Sequence, residues 1–149
     1  MLKRLIDGKR VALIGPSPHL INSNNGDFID SFDTVIRINE LGVSKSLFGD
    51  FGSKTNVAFL TLTEQSVPVY KKMIQELDLH SLNLVVHPRD KLNLNPYEKT
   101  YSKNSSSEYF KELKLDIDFF QIEKPSFEER CEYFSCFPTT GSLAIYEIC

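Results

Sequence analysis

The chain has 149 residues, the size of one compact domain, with 41% apolar and 25% charged residues, as in ordinary globular proteins. Its net charge of -3 provides no overall basic field, which argues against binding to nucleic acid or to an anionic membrane through general charge. No apolar run approaches the roughly 20 residues that span a bilayer, and residues 1–10 lack the apolar centre of a signal peptide. We therefore expect a cytoplasmic protein without a membrane segment.

The three cysteines, Cys131, Cys136 and Cys149, lie near the C-terminal end. An odd number without a secretion signal favours free thiols over a disulfide framework. No second Cys/His pair stands at metal-ligand spacing, so we predict that the chain binds no metal.

Short apolar runs rich in branched residues alternate with segments whose apolar residues recur at helical spacing. Loops rich in glycine or in polar residues are predicted at 42–54 and 90–107. In chain order, the predicted elements are strand 9–15, helix 27–32, strand 34–38, strand 55–62, helix 64–77, strand 82–87, helix 108–113, strand 117–122, helix 127–134 and a last helix from 142 to 149.

This alternation predicts a single α/β domain over residues 1–149, Rossmann-like, with a mostly parallel sheet covered by helices on both faces. Such sheets bind ligands at the carboxyl ends of their strands. The last, apolar helix has no glycine stop and no capping signal, so we expect the domain to be truncated at its C-terminal end.

Gly15 and Ser17 follow the first predicted strand directly. A glycine at this place lets the backbone approach a ligand closely, and a serine hydroxyl binds phosphate or sugar oxygens. Many α/β domains turn in this way for packing alone, and the sequence GPSP is not the GxGxxG of dinucleotide-binding proteins. A Walker A loop is excluded as well, because Ser53 separates Gly52 from Lys54.

Arg37 and Asn39 end the second predicted strand, where alternation places both on the same face of the sheet. An asparagine there can hold a hydroxyl or a base edge with its donor and its acceptor, so we favour a binding role for Asn39. For Arg37 we favour a structural role, with Asp30 or Asp33 as its partner.

Residues 138–141 (PTTG) precede the last predicted helix. Thr139 or Thr140 serves as the N-cap, and the first N–H groups of the helix, near Gly141, form a site for anions. Helix capping alone explains such a turn when it is considered in isolation.

Residues 11–39 together resemble the long sialyl motif of the eukaryotic-type sialyltransferases, glycosyltransferase family 29. That motif is a strand ending in Gly-Asn-Ser, a polar loop with glycine, then Ile-Asp, His-Asp and Arg-x-Asn. Residues 49–55 are similar to its closing Asp-x-Gly-x-Lys-Thr, and 138–141 with Leu143 are similar to the start of the short sialyl motif. The residues in register with the long motif are Gly15, Ser17, Gly26, Ile29, Asp30, Asp33, Arg37 and Asn39.

The resemblance implies a GT-A-like variant of the Rossmann-like fold and an inverting, metal-independent transfer of sialic acid or a related keto-sugar. The implied donor is a CMP-sugar, the implied acceptor is a glycan hydroxyl, and no further cofactor takes part. The implied substrate-binding residues are Gly15, Ser17, Asn39, Thr139, Thr140 and Gly141.

Three positions depart from the long motif. Pro16 stands where the family has an asparagine that contacts the donor nucleotide, and Phe32 replaces a histidine. Val11 occupies the place of a cysteine that secreted members use in a disulfide, which agrees with a cytoplasmic form.

The general base of the family is a histidine that follows the short motif, and no histidine of this chain does so. His19 lies in the loop after the first strand, His80 is expected at the surface, and His87 ends the fourth strand. For His87, a partly buried strand-end position is favoured over a role in the site. We therefore leave the catalytic residue unassigned and expect the chain alone to be inactive in transfer.

Two alternatives remain open. Besides a sialyltransferase-like enzyme, the chain could be a CMP-binding module that has lost transfer, or another Rossmann-type nucleotide-dependent enzyme. The absent GxGxxG counts against the second, as does Asn39, which occupies the place of a ribose-binding carboxylate. The oligomeric state stays undefined.

Overall fold

A computed structural model describes residues 1–88, 106–122, 124–135 and 139–149 of the chain. The described strands form one sheet in which every neighbouring pair is parallel. In order across the sheet they are β1 (Val11–Ile14), β2 (Thr34–Ile38), β3 (Val57–Phe59), β4 (Leu84–His87) and β5 (Asp118–Gln121).

Helices and short 3-10 turns occupy most of the connections. Among the helices of these described ranges, none combines the length and the apolar character that crossing a bilayer requires. The 3-10 turns are Pro18–Leu20 and Lys45–Leu47, and the helices are α1 (Leu2–Ile6), α2 (Gly26–Asp30), α3 (Phe48–Phe51), α4 (Val67–Glu76), α5 (Ser106–Leu113), α6 (Lys124–Phe134) and α7 (Thr140–Ile148).

Helices cover both faces of the sheet, which is why β3 and the residues of β4 before its last are apolar throughout. Ala58 of β3 belongs to a buried cluster with Tyr70 of α4 and Tyr109 of α5. The next residue, Phe59, points to the other face and lies in a cluster with Ala144 of α7 and with the apolar residues of α1. The predicted Rossmann-like α/β arrangement is therefore confirmed.

The second predicted strand coincides with β2, whereas the other strands are shorter than predicted. Near the two ends of the predicted strand 55–62, polar residues donate their N–H groups to side chains instead of to neighbouring strands. The Thr55 N–H donates to Ser81 Oγ (3.0 Å), and the Thr61 N–H donates to Asn39 Oδ1 (3.1 Å). The regular strand is therefore confined to Val57–Phe59.

Two short helices, α1 and α3, are absent from the sequence prediction. In α1, Leu2, Leu5 and Ile6 recur at helical spacing and pack against the sheet. The predicted loop 42–54 contains α3, which packs against α2. The predicted loop at 90–107 lies outside the described residues, apart from its last two residues, which begin α5.

The approach of α2 to α3 leaves no room for a side chain on Gly26. A Cβ there would lie 1.9 Å from the Phe48 carbonyl oxygen. Asp30, the last residue of α2, accepts the N–H groups of Ser53 (2.8 Å) and Lys54 (2.9 Å) beyond α3. Two residues in register with the long motif, Gly26 and Asp30, therefore have structural roles.

Asp50 of α3 forms hydrogen bonds with the loop before α2. Its carboxylate accepts the N–H groups of Asn22 (2.8 Å) and Asn24 (3.0 Å). Both asparagines have left-handed φ angles, 63° and 53°, which favour Asn over most other residues. The hydrogen bonds from Asn24 and Asn22 lower the pKa of the Asp50 carboxyl.

Candidate functional site

The carboxyl ends of the first three strands meet at one edge of the sheet. Ile14 of β1 pairs with Arg37 of β2, and Ile38 of β2 pairs with Phe59 of β3. The segments that follow these strands therefore emerge side by side. They carry three of the predicted site residues, and α7 brings the others to the same edge.

Gly15 and Ser17 form a tight turn after β1, in which the Ser17 N–H donates to the Gly15 carbonyl (2.8 Å). Ser17 Oγ accepts the His19 N–H at 3.4 Å and caps the 3-10 turn weakly. A Cβ on Gly15 would meet no atom of the described chain within 4 Å, and its φ angle lies outside the left-handed region. Neither packing nor backbone strain therefore requires a glycine at this position.

Asn39 follows β2 in the left-handed conformation, with φ 56°, which asparagine tolerates better than most residues. Its N–H donates to the Phe59 carbonyl (2.7 Å), and its Oδ1 accepts the Thr61 N–H (3.1 Å). This turn ends the alternation of β2 at Ile38, so the predicted alternation does not extend to Asn39. Arg37 is fully buried, whereas Asn39 is exposed.

Thr61, which lies just beyond β3, joins Asn39 to the start of α7. The hydroxyl oxygens of Thr61 and Thr140 lie 2.7 Å apart. Ser66, at the start of α4, donates its hydroxyl to the Thr61 carbonyl (2.6 Å). No sequence motif singles out Thr61, and the one signal that points to it is its place after a strand at the carboxyl edge.

The first turn of α7 lies beside this group, with Thr139 as its N-cap. Thr139 Oγ1 accepts the Ser142 N–H (3.2 Å), and the Thr139 carbonyl accepts the Leu143 N–H (3.0 Å). The N–H groups of Thr140 and Gly141 make no hydrogen bond within the described residues, as is usual in the first turn of a helix. Thr139 is exposed, and Thr140 is only 4% exposed.

The fold thus brings together predicted site residues that are far apart in the sequence. Asn39 and Thr140 both bond to Thr61, and Gly141 packs against β2, where its Cβ would lie 3.6 Å from Ile38 Cδ1. The turn after β1 lies at the neighbouring strand end and makes no hydrogen bond to this group in the ranges described. Two notable sequence positions, Cys136 and Pro138, fall outside the described residues.

Arg37 joins β2 to the segment after α3. Its Nε donates to Thr55 Oγ1 (2.9 Å), and its Nη2 donates to the carbonyls of Phe51 (2.8 Å) and Lys54 (3.1 Å). The predicted structural role of Arg37 is therefore confirmed, but its hydrogen-bond partners are these oxygens and not the predicted carboxylates. Burial lowers the pKa of Arg37, and the charges of nearby carboxylates oppose this change.

Glu40 follows Asn39 and interacts electrostatically with the buried guanidinium of Arg37. Burial raises the pKa of the Glu40 carboxyl, and the positive charge of Arg37 opposes the change. Burial, together with the charge of Glu40, also raises the pKa of Tyr70 to about 12. The turn at Asn39 therefore lies directly beside the buried charge of Arg37 and the partly buried Glu40.

The histidines differ in burial. His87 is 4% exposed, and its Nδ1 lies 2.9 Å from the Leu60 carbonyl oxygen and 3.3 Å from the Leu62 nitrogen. Because a carbonyl only accepts, the shorter contact assigns the proton to Nδ1. His80 is exposed beside Asp78. The predicted strand-end burial of His87 and surface position of His80 are confirmed.

A parallel sheet whose strand ends meet the start of a helix at one polar edge defines a class of α/β proteins that bind small ligands such as nucleotides there. Within the described part of the chain, no three His, Cys, Asp or Glu side chains are grouped so as to hold a metal ion. The sequence profile of glycosyltransferase family 29 (sialyltransferase) matches residues 7–145.

The chain therefore belongs to glycosyltransferase family 29, which confirms the resemblance drawn from residues 11–39 and 138–141. Family membership implies a nucleotide-sugar donor and a glycan acceptor. No curated protein matches the chain.

Proposed function

We propose that this chain forms the donor site of a sialyltransferase-like enzyme. In this proposal it binds a CMP-sugar whose sialic acid, or a related keto-sugar, passes to an acceptor hydroxyl with inversion and without a metal ion. The proposal is carried by the hydrogen bonds of Asn39 and Thr140 to Thr61. These bonds bring the segment that resembles the long motif and the segment that resembles the short motif to one edge of the sheet.

Asn39 is suited to bind the nucleotide. Its Oδ1 is occupied by the Thr61 N–H, which fixes the amide and leaves the Nδ2 group as a hydrogen-bond donor toward a ligand. No described residue accepts a hydrogen bond from Nδ2, and the side chain is exposed. We propose that this donor contacts the ribose or the base of CMP.

The start of α7 is suited to stabilise the phosphate of the departing CMP. The N–H groups of Thr140 and Gly141 are donors at the positive end of the helix dipole. Charge that develops on the leaving phosphate would be stabilised by these fixed donors, in the place that a divalent cation takes in other transferases. Gly15 leaves open space in which a ligand can approach the backbone after β1, and the nearby Ser17 hydroxyl can bond to it.

The transfer itself is a single displacement. The acceptor oxygen attacks the anomeric carbon while the bond from that carbon to the CMP oxygen breaks, and CMP departs with the electron pair. The hydroxyl proton of the acceptor passes to a general base. We assign this base to no residue. His87 is buried with Nδ1 bonded to the Leu60 carbonyl. His80 is paired with Asp78 at the surface, and the ring of exposed His19 bonds to no described residue that would orient it as a base.

A second candidate function is CMP binding without transfer. It is favoured by Pro16, which is exposed and has no N–H, at the position where the resemblance implies an asparagine. Transfer of sugar from CMP-sialic acid by the chain would exclude this candidate, whereas CMP binding alone is common to both.

Calorimetric titration with CMP tests the proposed site. Replacing Asn39 with Ala removes one hydrogen-bond donor. The binding free energy of CMP should therefore become less favourable by about 1–3 kcal/mol, which is a loss of about 5- to 150-fold in affinity. The matched control is Asn83→Ala, because Asn83 is an exposed asparagine just before β4, at the opposite edge of the sheet. Equal affinities of the wild type and Asn39→Ala would remove Asn39 from the site.

A further inference from the structure

Thr61 bonds to three separate elements of the fold. Its N–H donates to Asn39 Oδ1 (3.1 Å), its carbonyl accepts the Ser66 hydroxyl (2.6 Å), and its hydroxyl oxygen lies 2.7 Å from that of Thr140. These contacts reach the end of β2, the start of α4 and the start of α7. Thr61 is the residue through which these three elements are joined by hydrogen bonds.

The backbone on both sides of Thr61 is held firmly. Leu60 is fully buried, and its N–H donates to the Val86 carbonyl (2.9 Å). Leu62 is 3% exposed, and the Leu60 carbonyl accepts a hydrogen bond from His87 Nδ1 (2.9 Å). The backbone position of Thr61 is therefore set by the sheet.

The hydroxyls of Thr61 and Thr140 form a partly buried pair that links distant parts of the sequence. Thr140 is 4% exposed and stands 79 residues after Thr61. Removing the Thr61 hydroxyl would leave the nearly buried Thr140 hydroxyl without this partner, which costs free energy. The pair therefore favours one placement of the start of α7 relative to β3.

We propose that Thr61 is a positioning residue of the donor site. Its hydroxyl sets the distance between Asn39 and the start of α7, so that both can bind the same CMP-sugar molecule. The proposal rests on the proposed function. It assigns a role to a residue that lies outside the two motif-like segments, which are 11–39 with its closing part 49–55, and 138–141. Thr61 acts in it through Asn39 and Thr140, without contacting the sugar donor.

The test compares CMP affinity among variants by calorimetry. Thr61→Val removes the hydroxyl but keeps the branched shape and the N–H that bonds to Asn39, and we expect about 5- to 30-fold weaker binding. Thr61→Ser keeps the hydroxyl and should bind CMP within about threefold of the wild type. The matched control is Thr34→Val at the opposite edge of the sheet, because this change also removes a buried hydroxyl that donates to a carbonyl, that of Leu5, away from the candidate site.

A double-mutant cycle separates positioning from direct contact. Thr140→Val removes the other end of the same hydrogen bond, so it should weaken CMP binding to a similar extent. The double variant should bind CMP about as weakly as the single variant with the lower affinity, because both changes remove the same hydrogen bond. Thr140→Val also provides the affinity measurement if Thr61→Val does not fold, as judged by urea unfolding.

Four outcomes overturn the inference. They are unchanged CMP affinity in Thr61→Val, an equal loss in Thr34→Val, strictly additive losses in the double variant, and no rescue by Thr61→Ser. Each of these leaves the proposed function in place as long as the wild type binds CMP and Asn39→Ala weakens that binding. Absence of CMP binding by the wild type overturns both proposals.

Discussion

Residues in register with the long sialyl motif serve two different purposes. Gly26, Asp30 and Arg37 have their partners within the chain, where they bond to or pack against backbone near α3. Gly15 and Asn39 differ, because no packing contact requires a glycine at position 15 and the Asn39 side chain is exposed. A motif of this kind therefore mixes residues that shape the edge of the sheet with residues available to a ligand.

Asp30 should make the stability of the chain depend on pH. Burial favours its neutral form, but the hydrogen bonds from Ser53 and Lys54 outweigh burial and, with the charge of Arg37, lower the pKa of Asp30. The pKa of Asp30 is thus lower in the folded than in the unfolded state. Its stabilising contribution is fully present above the unfolded value near 3.8 and is lost as pH falls through the folded value.

Urea unfolding of Asp30→Asn measures this contribution. At neutral pH the free energy of unfolding should fall by about 1–3 kcal/mol, because hydrogen bonds to a charged acceptor are lost. The difference from the wild type should shrink toward pH ~3 as the wild-type carboxylate takes up its proton. Asp27→Asn, an exposed change on the same helix, should stay within about 0.5 kcal/mol at neutral pH. A difference between Asp30→Asn and the wild type that did not vary with pH would contradict this assignment.

At the scale of elements, the contact of α2 with α3 gives a matched pair of glycine substitutions. A Cβ on Gly26 would lie 1.9 Å from the Phe48 carbonyl oxygen, so Gly26→Ala must push the two helices apart. We expect a loss of about 2–3 kcal/mol in the free energy of unfolding, or failure to fold. A Cβ on Gly49 would meet nothing within 4 Å, and Gly49→Ala should leave stability unchanged or raise it by up to about 1 kcal/mol.

Urea denaturation of both glycine variants under one set of conditions makes this comparison. Both substitutions add the same methyl group within a short helix, so the difference between them reports the helix contact itself. Equal stability of Gly26→Ala and Gly49→Ala would show that α2 and α3 are not in this close contact.

Elements dominated by local pattern can be predicted from the sequence, and β2 is the clearest case. Four of its five residues are β-branched, with Arg37 as the exception, and the prediction at 34–38 matches its observed bounds. The sequence does not predict α1, because charged residues separate Leu2 from Leu5 and Ile6 and the segment is too short to establish a helical period. Its helical state depends on tertiary packing against the sheet.

Only part of the candidate site could be predicted from the sequence, for the same reason. The sequence singles out Asn39 and the turn before α7 as candidates, because strand ends and helix starts are places where backbone groups face ligands. Thr61 is not singled out, since its contact with Thr140 joins residues 79 positions apart and leaves no local pattern. The left-handed φ of Asn39, which ends the alternation of β2, was also not apparent from the sequence.

At the scale of the whole molecule, the proposed donor site depends on the complete sheet. Strands lie in chain order from β1 to β5, and α7, near the end of the chain, returns to pack against β2. The two motif-like segments therefore meet only when the intervening strands have formed. Any change that displaces α7 should weaken CMP binding even where every side chain of the site is retained.

The most direct test of the central claim is an amide chemical-shift map of CMP binding, recorded by NMR with EDTA present throughout. The account predicts shifts of the Asn39, Thr61, Thr140 and Gly141 signals, together with those of the turn after β1, at concentrations that follow one binding curve. Residues at the opposite edge, such as Asn83, should not shift. Shifts confined to one of the two motif-like segments, or binding that appears only when magnesium replaces EDTA, would contradict a metal-independent donor site shared by the two.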